Sequence, residues 1–314
     1  MSDLISILET LVADVQAGRP ATLCVVLKTY GSAPQTPGAS MLVRADATTI
    51  GTVGGGAVEA QVQREAVRLL GENRSAVLNL SLEHDYHTDE GPICGGQMSV
   101  GVMPIADAAA LKPFAHGLEL VRQRKPARIP IIVEHAGKRL EYHLYVEAPP
   151  TLIIAGAGHV GQALARLAAN LDFHIVVIDD RAEFASRERF GERVQLITDD
   201  IVEALRKYPI DEGCYVVIMT RGHLQDEQAL QAVIRRPAGY IGMIGSKRKS
   251  ATVLKALEQA GVPPELLKRV HTPIGFSIGA VTVNEIAVSI AAELIQVHRQ
   301  STPRAMEGPI GARL

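Results

Sequence analysis

The sequence predicts a two-domain α/β protein whose C-terminal half is a Rossmann-like domain with a parallel sheet. Two observations support this fold class. From residue 151 onward, short apolar strands alternate with helical patterns, as they do in right-handed βαβ units. In addition, a glycine-rich turn at residues 156–161 (GAGHVG) follows the first of these strands and opens a helix. A chain of 314 residues is long enough for two domains that each bury a core.

The N-terminal half, residues 1–148, is predicted to form a separate α/β domain. Apolar residues recur at helical spacing over residues 4–15, and residues 21–29 form an apolar run typical of a buried strand. Further strands are expected near residues 40–44, 76–80 and 97–102, with a helix after residues 51–59 and another helix and two strands before residue 146. Pro149 and Pro150 mark the expected domain boundary.

Residues 149–300 are predicted to form the Rossmann-like domain. A helix near residues 158–170 follows the glycine-rich turn, and a TVNE sequence at residues 282–285 fits a capping box at the start of a closing helix. The expected strands lie near residues 152–155, 174–178, 194–196, 215–219 and 240–244. Proline and glycine are frequent after residue 300, so residues 301–314 are expected to be an irregular tail.

Composition and charge exclude several classes of protein. The chain carries 32 Lys and Arg against 34 Asp and Glu, and this formal net charge of −2 gives no general attraction to nucleic acid or to an anionic membrane. No charge-free apolar stretch reaches the roughly 18 residues of a transmembrane helix, and the N-terminal residues lack the profile of a signal peptide. The three cysteines are too widely spaced for a disulfide framework. We therefore expect a reduced, cytoplasmic protein.

The glycine-rich turn is predicted to hold a nucleotide or another phosphate-bearing ligand. A GxGxxG turn needs its first glycine for a tight turn, its second for the approach of a pyrophosphate and its third for close helix packing. In this chain these positions are Gly156, Gly158 and Gly161. Asp179 follows about 20 residues later, where a carboxylate accepts a ribose hydroxyl. Alternatively, the glycines serve packing alone, and Asp180 and Arg181 form a solvated local pair.

Two later loops are expected at the same edge of the sheet, where open α/β sheets bind ligands. In residues 220–226 (TRGHLQD), His223 is a candidate for a helix cap, a polar contact or a catalytic group. In residues 245–249 (GSKRK), Ser246 and Lys247 begin a helix that carries three consecutive cations, an unfavourable position unless an anion is present. A phosphate-bearing ligand would supply that anion. Alternatively, the three cations point into water.

Three glycine-bearing loops in the N-terminal half are candidates for a binding site. One run of three glycines precedes a helix, where backbone amides hold an anionic oxygen, and an acidic residue in the first turn suits the helix dipole. A thiol beside two glycines is a candidate for soft-metal or sulfur chemistry, with inert packing as the alternative. The candidate residues are Ser32, Gly54, Gly55, Gly56, Glu59, Cys94, Gly95 and Gly96.

The remaining cysteines and a cluster of polar residues have simpler interpretations. Cys24 and Cys214 lie within apolar strands and are expected to be buried in the cores. One polar segment is expected to be a solvated loop, although its residue types also suggest a metal site; they are His84, Asp85, His87, Asp89 and Glu90.

Taken together, these motifs resemble the XdhC/CoxI family, the accessory proteins of xanthine dehydrogenase-type molybdenum hydroxylases. The resemblance extends over nearly the whole chain. In the N-terminal half it rests on GSAPQTPGASMLV (31–43), GTVGGGAVE (51–59) and CGG (94–96). In the C-terminal half it rests on GAGHVG, IDDR (178–181), TRGHLQD, GMIGSKRK (242–249) and HTPIGFSIGAVTVNEIAVSI (271–290).

The resemblance implies an N-terminal XdhC/CoxI-type domain before the Rossmann-like domain, and a cofactor chaperone rather than a catalyst. Such proteins bind molybdenum cofactor (molybdopterin) as cargo, protect it while its terminal sulfido ligand is installed, and insert it into an apo-molybdenum hydroxylase. A cysteine desulfurase is the implied sulfur donor, and the apolar helices favour a homodimer. Some family members carry a cysteine after the glycine pair, where this chain has Ala57. If that cysteine contacts the cofactor in those members, either Cys94 alone serves as the thiol in this chain or no thiol does.

Two other functions remain consistent with the sequence. An NAD(P)-dependent oxidoreductase is favoured by GAGHVG and Asp179, but it lacks a catalytic proton donor at a recognisable position. A pure scaffold that links a sulfur donor to the hydroxylase would leave the glycine loops with an architectural role alone.

Overall fold

The computed structural model describes residues 2–81, 96–301 and 305–308 of the chain. The chain forms two compact units. The first comprises Met1–Ala148 with Pro303–Leu314, and the second comprises Pro149–Thr302. None of the helices in the described residues is both long and apolar enough to cross a membrane.

The first unit combines helices with antiparallel strands. Its elements are α1 (Ser2–Gln16), β1 (Ala21–Tyr30), β2 (Ser40–Arg44), β3 (Thr49–Gly51), α2 (Gly56–Glu72), β4 (Ala76–Ser81), β5 (Gln97–Ile105), α3 (Ala108–Arg122), β6 (Ala127–His135), β7 (Lys138–Val146) and β14 (Met306–Glu307). One sheet has the strand order β3-β2-β1-β5-β4, and a smaller sheet has the order β14-β7-β6.

β1 is covered on both of its faces. Cys24 and Val26 point toward α2 and belong to one apolar cluster, whereas Leu23 and Val25 belong to a second cluster with α1, α3 and the β6–β7 hairpin. Successive side chains of a strand alternate between faces. Because both faces are buried, the strand is a continuous apolar run instead of an alternating one.

The antiparallel pairing brings the candidate loops of the first unit to one end of the sheet. β1 ends at Tyr30, which is paired with Gln97 at the start of β5, and Gln97 is paired in turn with Ser81 at the end of β4. Neighbouring antiparallel strands run in opposite directions, so β2 begins and β3 ends at this same end. The segments that follow β1 and β3 therefore converge with Gly96, the residue before β5.

The prediction of an irregular tail over residues 301–314 is wrong for part of that segment. Met306 and Glu307 form β14, which pairs antiparallel with β7 at Leu144 and His143. The Met306 side chain is buried in the core of the first unit, and Glu307 forms an ion pair of 3.2 Å with Arg128. A two-residue strand between prolines and glycines leaves no periodicity in the sequence, so only the tertiary contact reveals it.

The second unit is the predicted Rossmann-like domain. Its elements are β8 (Thr151–Ala155), α4 (His159–Ala168), β9 (His174–Ile178), α5 (Arg187–Phe190), β10 (Gln195–Ile197), α6 (Ile201–Lys207), β11 (Cys214–Ile218), α7 (His223–Val233), β12 (Tyr240–Met243), α8 (Lys247–Gln259), α9 (Pro264–Leu267), β13 (Val270–His271) and α10 (Val283–Ser301). The six strands are parallel in the order β10-β9-β8-β11-β12-β13. This is the doubly wound order, with its switch point between β8 and β11.

Helix α10 is fixed at its start and in its middle by two carboxylates. The predicted capping box is present, since Thr282 Oγ1 accepts from the Glu285 amide (3.3 Å) and the Glu285 carboxylate accepts from the Thr282 amide (2.9 Å). The buried Glu293 carboxylate accepts from Tyr240 Oη (2.6 Å) and the Gly275 amide (2.7 Å), and it contacts His271 Nδ1 at 3.0 Å. These contacts attach α10 to β12 and to the segment after β13.

Candidate functional site

In the first unit, close backbone packing brings the candidate loops together. A Cβ atom at Gly96 would overlap the carbonyl oxygens of Tyr30 and Ser32, so only glycine fits where β5 begins. A Cβ atom at Gly54 would lie 2.7 Å from Pro34 Cγ, which places the loop after β3 against the loop after β1. Ser32, Gly54 and Gly96 therefore belong to one cluster of loops at the end of the sheet.

The conformation of the glycine run before α2 requires glycine. Gly54, Gly55 and Gly56 have φ values of 143°, 72° and 57°, a region that residues with a Cβ rarely adopt. The space where side chains of Gly55 and Gly56 would lie is open. The loop therefore exposes its backbone to any ligand that approaches the start of α2.

The chain itself already satisfies part of the predicted amide cradle. The Gly54 amide donates to Thr52 Oγ1 (3.1 Å), and the Gly55 amide donates to the Glu59 carboxylate (3.1 Å), which also accepts from the Thr52 hydroxyl. Thr52 was missed by sequence reasoning, although a threonine two residues before a turn amide is a known local acceptor. The amides left for an anion are those of the first turn of α2, at residues 56–58, which have no acceptor within the helix.

The remaining candidates of the N-terminal half lie in residues 82–95, outside the described residues. They include Cys94 and Gly95 as well as the polar cluster between His84 and Glu90. No group of three metal-ligating side chains occurs in the part of the chain that the structure describes. Cys24 and Cys214 are buried, as predicted, and burial raises the pKa of the Cys24 thiol, which favours its inert form.

In the second unit, close backbone contacts within the fold require glycine at two of the three motif positions. Gly156 adopts a φ of 121°, and a Cβ there would overlap the carbonyl oxygen of Met219 in the loop after β11. A Cβ at Gly161 would overlap the Gly156 carbonyl oxygen. Gly158 has open space beside it. Gly156 and Gly161 therefore serve turning and packing, and Gly158 is the position that leaves room for a ligand.

Asp179 is buried and fully engaged by the protein, and this changes its expected role. Its carboxylate accepts from the amides of Ala157 (2.8 Å) and Arg181 (3.1 Å) and from the Arg181 guanidinium (2.8 and 2.9 Å). Burial acts to raise the pKa of Asp179, but the Arg181 guanidinium and the two amides outweigh it and hold the pKa below its usual value. The carboxylate is therefore committed to joining two loops and is not free for a ribose hydroxyl.

The two arginines beside this carboxylate are also paired. Arg181 lies over the Phe184 ring, 3.6 Å from its centroid, while Arg221 forms an ion pair with Asp180 (2.7 Å). The alternative pair of Asp180 and Arg181 is present as a long contact of 4.0 Å, but the nearer and buried partner of Arg181 is Asp179 at 2.8 Å. The two carboxylates and the two arginines are therefore matched before any ligand arrives.

A cavity of about 270 Å³ lies at the switch point of the parallel sheet. Gly156 and Gly158 line it together with His159 at the start of α4 and with Thr220 and Arg221 after β11. Sequence reasoning missed His159, Thr220 and Arg221, although all three occur inside the motifs that it singled out. The N-terminus of α4 at His159 suits an anionic group. The Thr220 amide and hydroxyl already donate to Asp226 (3.0 and 2.7 Å), and Arg221 is paired with Asp180.

Asp179 also lines the cavity, whereas the predicted residues of the two later loops do not. His223 is the first residue of α7 and is exposed, and its helix is preceded by Gly222 without a side-chain cap. Ser246 caps α8 by accepting from the Lys249 amide (3.2 Å), and Lys247 is exposed. Lys249 forms an ion pair with the buried Asp226, so one of the three cations meets a carboxylate of the protein rather than a ligand or water.

Comparisons with known proteins agree with the two-unit organisation. Residues 14–81 match the family model described as the XdhC and CoxI family, and residues 152–294 match the model of the XdhC Rossmann domain. A solved structure of a xanthine dehydrogenase from Bacillus halodurans is similar, with a TM-score of 0.79, 25% identity, and coverage of 96% of this chain and 97% of that chain.

Three curated proteins are also similar. An uncharacterized protein, YqeB, of Escherichia coli (strain K12) is 31% identical over 92% of this chain, which spans 46% of that protein and so about half its length. A Bacillus subtilis (strain 168) protein, named as a probable xanthine dehydrogenase subunit, is 25% identical over 96% of this chain and 99% of its own. The molybdenum cofactor insertion chaperone PaoD of E. coli (strain K12) is 24% identical over 93% and 88%.

The contacts of Glu59 predict a specific loss of stability. Glu59→Ala removes the acceptor of the Gly55 amide and of the Thr52 hydroxyl, and we expect it to lower the free energy of unfolding by about 1 kcal/mol. The matched control is Glu65→Ala on the same helix, which removes an exposed ion pair with Arg68 and should cost less than Glu59→Ala. Urea denaturation followed by circular dichroism measures both, and equal losses would contradict the role of Glu59 in the loop.

The lowered pKa of Asp179 predicts a pH dependence of stability. Ionised Asp179 stabilises the fold fully above the unfolded-state pKa of about 3.9, and this contribution is lost as the pH falls toward the lower folded-state pKa. We expect Asp179→Asn to cost about 2 kcal/mol at neutral pH, and we expect the difference from the wild type to shrink below about pH 4.

Thermal unfolding across the acidic range tests this expectation. The control is Asp180→Asn, which removes a more exposed ion pair with Arg221 and should cost less than about 1 kcal/mol at neutral pH. A difference between wild type and Asp179→Asn that stays constant with pH would show that ionisation of Asp179 contributes nothing.

Proposed function

Because the chain belongs to the XdhC/CoxI family, we propose that it binds molybdenum cofactor as cargo and inserts it into a xanthine dehydrogenase-type molybdenum hydroxylase. The names of two relatives support this proposal, one a molybdenum cofactor insertion chaperone and the other a probable subunit of xanthine dehydrogenase. The similarity to the Bacillus halodurans structure, which is also named a xanthine dehydrogenase, extends over nearly the whole of both chains.

The observation that carries the proposal is the convergence of backbone-exposing loops at one end of the first unit's sheet. Gly96 packs on Ser32, Gly54 packs on Pro34, and the first turn of α2 offers amides without helical acceptors. Molybdenum cofactor is an anionic pterin with a phosphate and a dithiolene. Such a ligand requires amide donors and close backbone approach more than it requires an acid–base pair, so binding and transfer fit this loop cluster better than turnover does.

Cys94 is proposed as the sulfur ligand that faces the molybdenum. It lies outside the described residues, and its role rests on the family resemblance and on its place between β4 and β5, two strands whose ends lie beside the loop cluster. We infer further that a cysteine desulfurase supplies the terminal sulfido ligand while the cargo is bound. Gly95 would then leave room for the metal beside the thiol, and Gly96 would hold this segment against Ser32.

The cavity of the second unit is proposed to hold a phosphate or nucleotide portion of a ligand. Gly158 and the start of α4 leave space for the ligand to approach the backbone, and Gly156 and Gly161 shape the turn. The matched charges around Asp179 give no support to the NAD(P)-dependent oxidoreductase, because the carboxylate on which that hypothesis relied is engaged by Arg181. Lys247 and His223 would contribute only from outside this cavity.

Anaerobic purification tests cargo binding. The full chain is isolated without oxygen from a host that makes molybdenum cofactor, and its pterin is oxidised and quantified by fluorescence. We expect close to one pterin per chain, and a several-fold lower amount in Cys94→Ser because the thiol ligand is lost. Cys24→Ala, which removes a buried thiol of β1, is the control and should retain its pterin. A wild-type protein that carries no pterin, even after free cofactor is added, would contradict the proposal.

A homodimer through α10 is proposed on the basis of its exposed surface. Val288 and Ile295, seven residues apart on one helix face, are 48% and 40% exposed. Glu285 lies at one end of this face and Arg299 at the other, so two antiparallel copies of α10 would bring opposite charges together. Light scattering should give twice the mass of 33.6 kDa for the wild type and the single mass for Val288→Glu. A monomeric wild type at micromolar concentration would exclude this interface.

A further inference from the structure

A second cavity, of about 650 Å³, opens on the sheet of the first unit. Its volume lies within the range of small-molecule sites. Two rows of directly opposed residues form its floor across three strands: Lys28–Ser99–Asn79 and Tyr30–Gln97–Ser81. His135, at the end of β6, also lines it. We call this cavity the polar groove.

A β-bulge creates the polar groove. The pairing of β1 with β5 shifts by one residue between Val26 and Lys28. Without this extra residue, Lys28 and Tyr30 would point toward α2 with Val26. The bulge turns them to the opposite face, where they join Ser99 and Gln97. Bulges of this kind recur beside binding sites because they redirect side chains.

The side chains of the groove are suited to a neutral heterocycle that carries an anionic group. Ser99 Oγ donates to Asn79 Oδ1 (2.7 Å), which leaves the amide hydrogens of Asn79 for another partner. Gln97 offers a donor and an acceptor, and the Tyr30 ring is 58% exposed. Among the described residues, no carboxylate lines the groove, whereas Lys28 and His135 do. Lys28 therefore supplies a cation for an anionic group of a ligand.

An unsatisfied hydroxyl lies near the groove. Tyr142 on β7 is fully buried, and its Oη has no hydrogen-bond partner among the described residues. Burial, and to a lesser extent the phenol of Tyr30, raise the pKa of Tyr142. A buried hydroxyl without a partner is unusual and calls for an explanation, such as a molecule that completes its hydrogen bonding.

We propose that the polar groove holds the pterin ring of the cargo, with its phosphate on Lys28. The aminopyrimidinone edge of a pterin presents adjacent donors and acceptors, which Asn79 and Gln97 match, and its flat ring stacks on Tyr30. A lysine is a common partner of a phosphate. The groove starts at the strand ends that carry the loop cluster, so the dithiolene and metal would extend toward those loops. This assignment rests on the proposed function.

The pterin content of groove variants tests the assignment. Lys28→Met removes the cation and Gln97→Ala removes the amide, and we expect each full-length variant, purified anaerobically from a host that makes the cofactor, to hold at most a fifth of the wild-type pterin. Lys112→Met, an exposed lysine on α3, is the matched control and should load normally. Thermal unfolding midpoints establish that all three variants are folded.

The outcomes separate the groove from the proposed function. A wild type that purifies without pterin overturns both. If the wild type carries pterin and Lys28→Met and Gln97→Ala carry as much, the assignment of the groove is wrong, but the proposal of cargo binding stands. Loss of pterin in Lys112→Met as well would also contradict the assignment of the groove. The loss would then follow from the removal of any surface lysine, wherever it lies. Loss in the two groove variants alone supports the assignment.

Discussion

β1 pairs with β5 over nearly all of its length and with β2 over half of it, and this pairing positions Lys28, Tyr30 and Gln97 of the polar groove. The pairing aligns the end of β1 with the start of β5, and the backbone at Gly96 then packs on Ser32. The β-bulge between Val26 and Lys28 turns the side chains of Lys28 and Tyr30 to the opposite face of the sheet. Core packing on both sides of β1 holds this register, because a slip by one residue would exchange its buried faces.

In the second unit, charged side chains near the edge of the sheet form ion pairs with one another. Its loops after β9, β11 and β12 carry carboxylates and cations that the sequence suggests for ligands, yet the fold pairs them with one another: Asp179 with Arg181, Asp180 with Arg221, and Asp226 with Lys249. Buried carboxylates require such partners, since an unpaired charge in the interior is costly. What remains for a ligand is geometry, namely the open space at Gly158 and the start of α4.

Local rules in the sequence identified the parts of the fold that depend on local physics. The GAGHVG turn lies between β8 and α4 as predicted, because the roles of Gly156 and Gly161 follow from backbone sterics. The capping box of Thr282 and Glu285 is formed, because its two hydrogen bonds span only three residues. The regular alternation after residue 151 correctly indicated the parallel sheet.

The sequence by itself determined the α/β class, the parallel sheet, the glycine turns and the membership of a family. The tertiary structure alone decided which partners the polar side chains take. Asp179 lies where a ribose-binding carboxylate is expected, and Arg181 is its near neighbour along the chain, but only the fold brings the Ala157 amide to it. Lys28 and Tyr30 join Ser99 and Gln97 only because a bulge redirects them. Periodicity and motifs report nearest neighbours along the chain, whereas pairing register and the partners of buried charges depend on residues far apart in sequence.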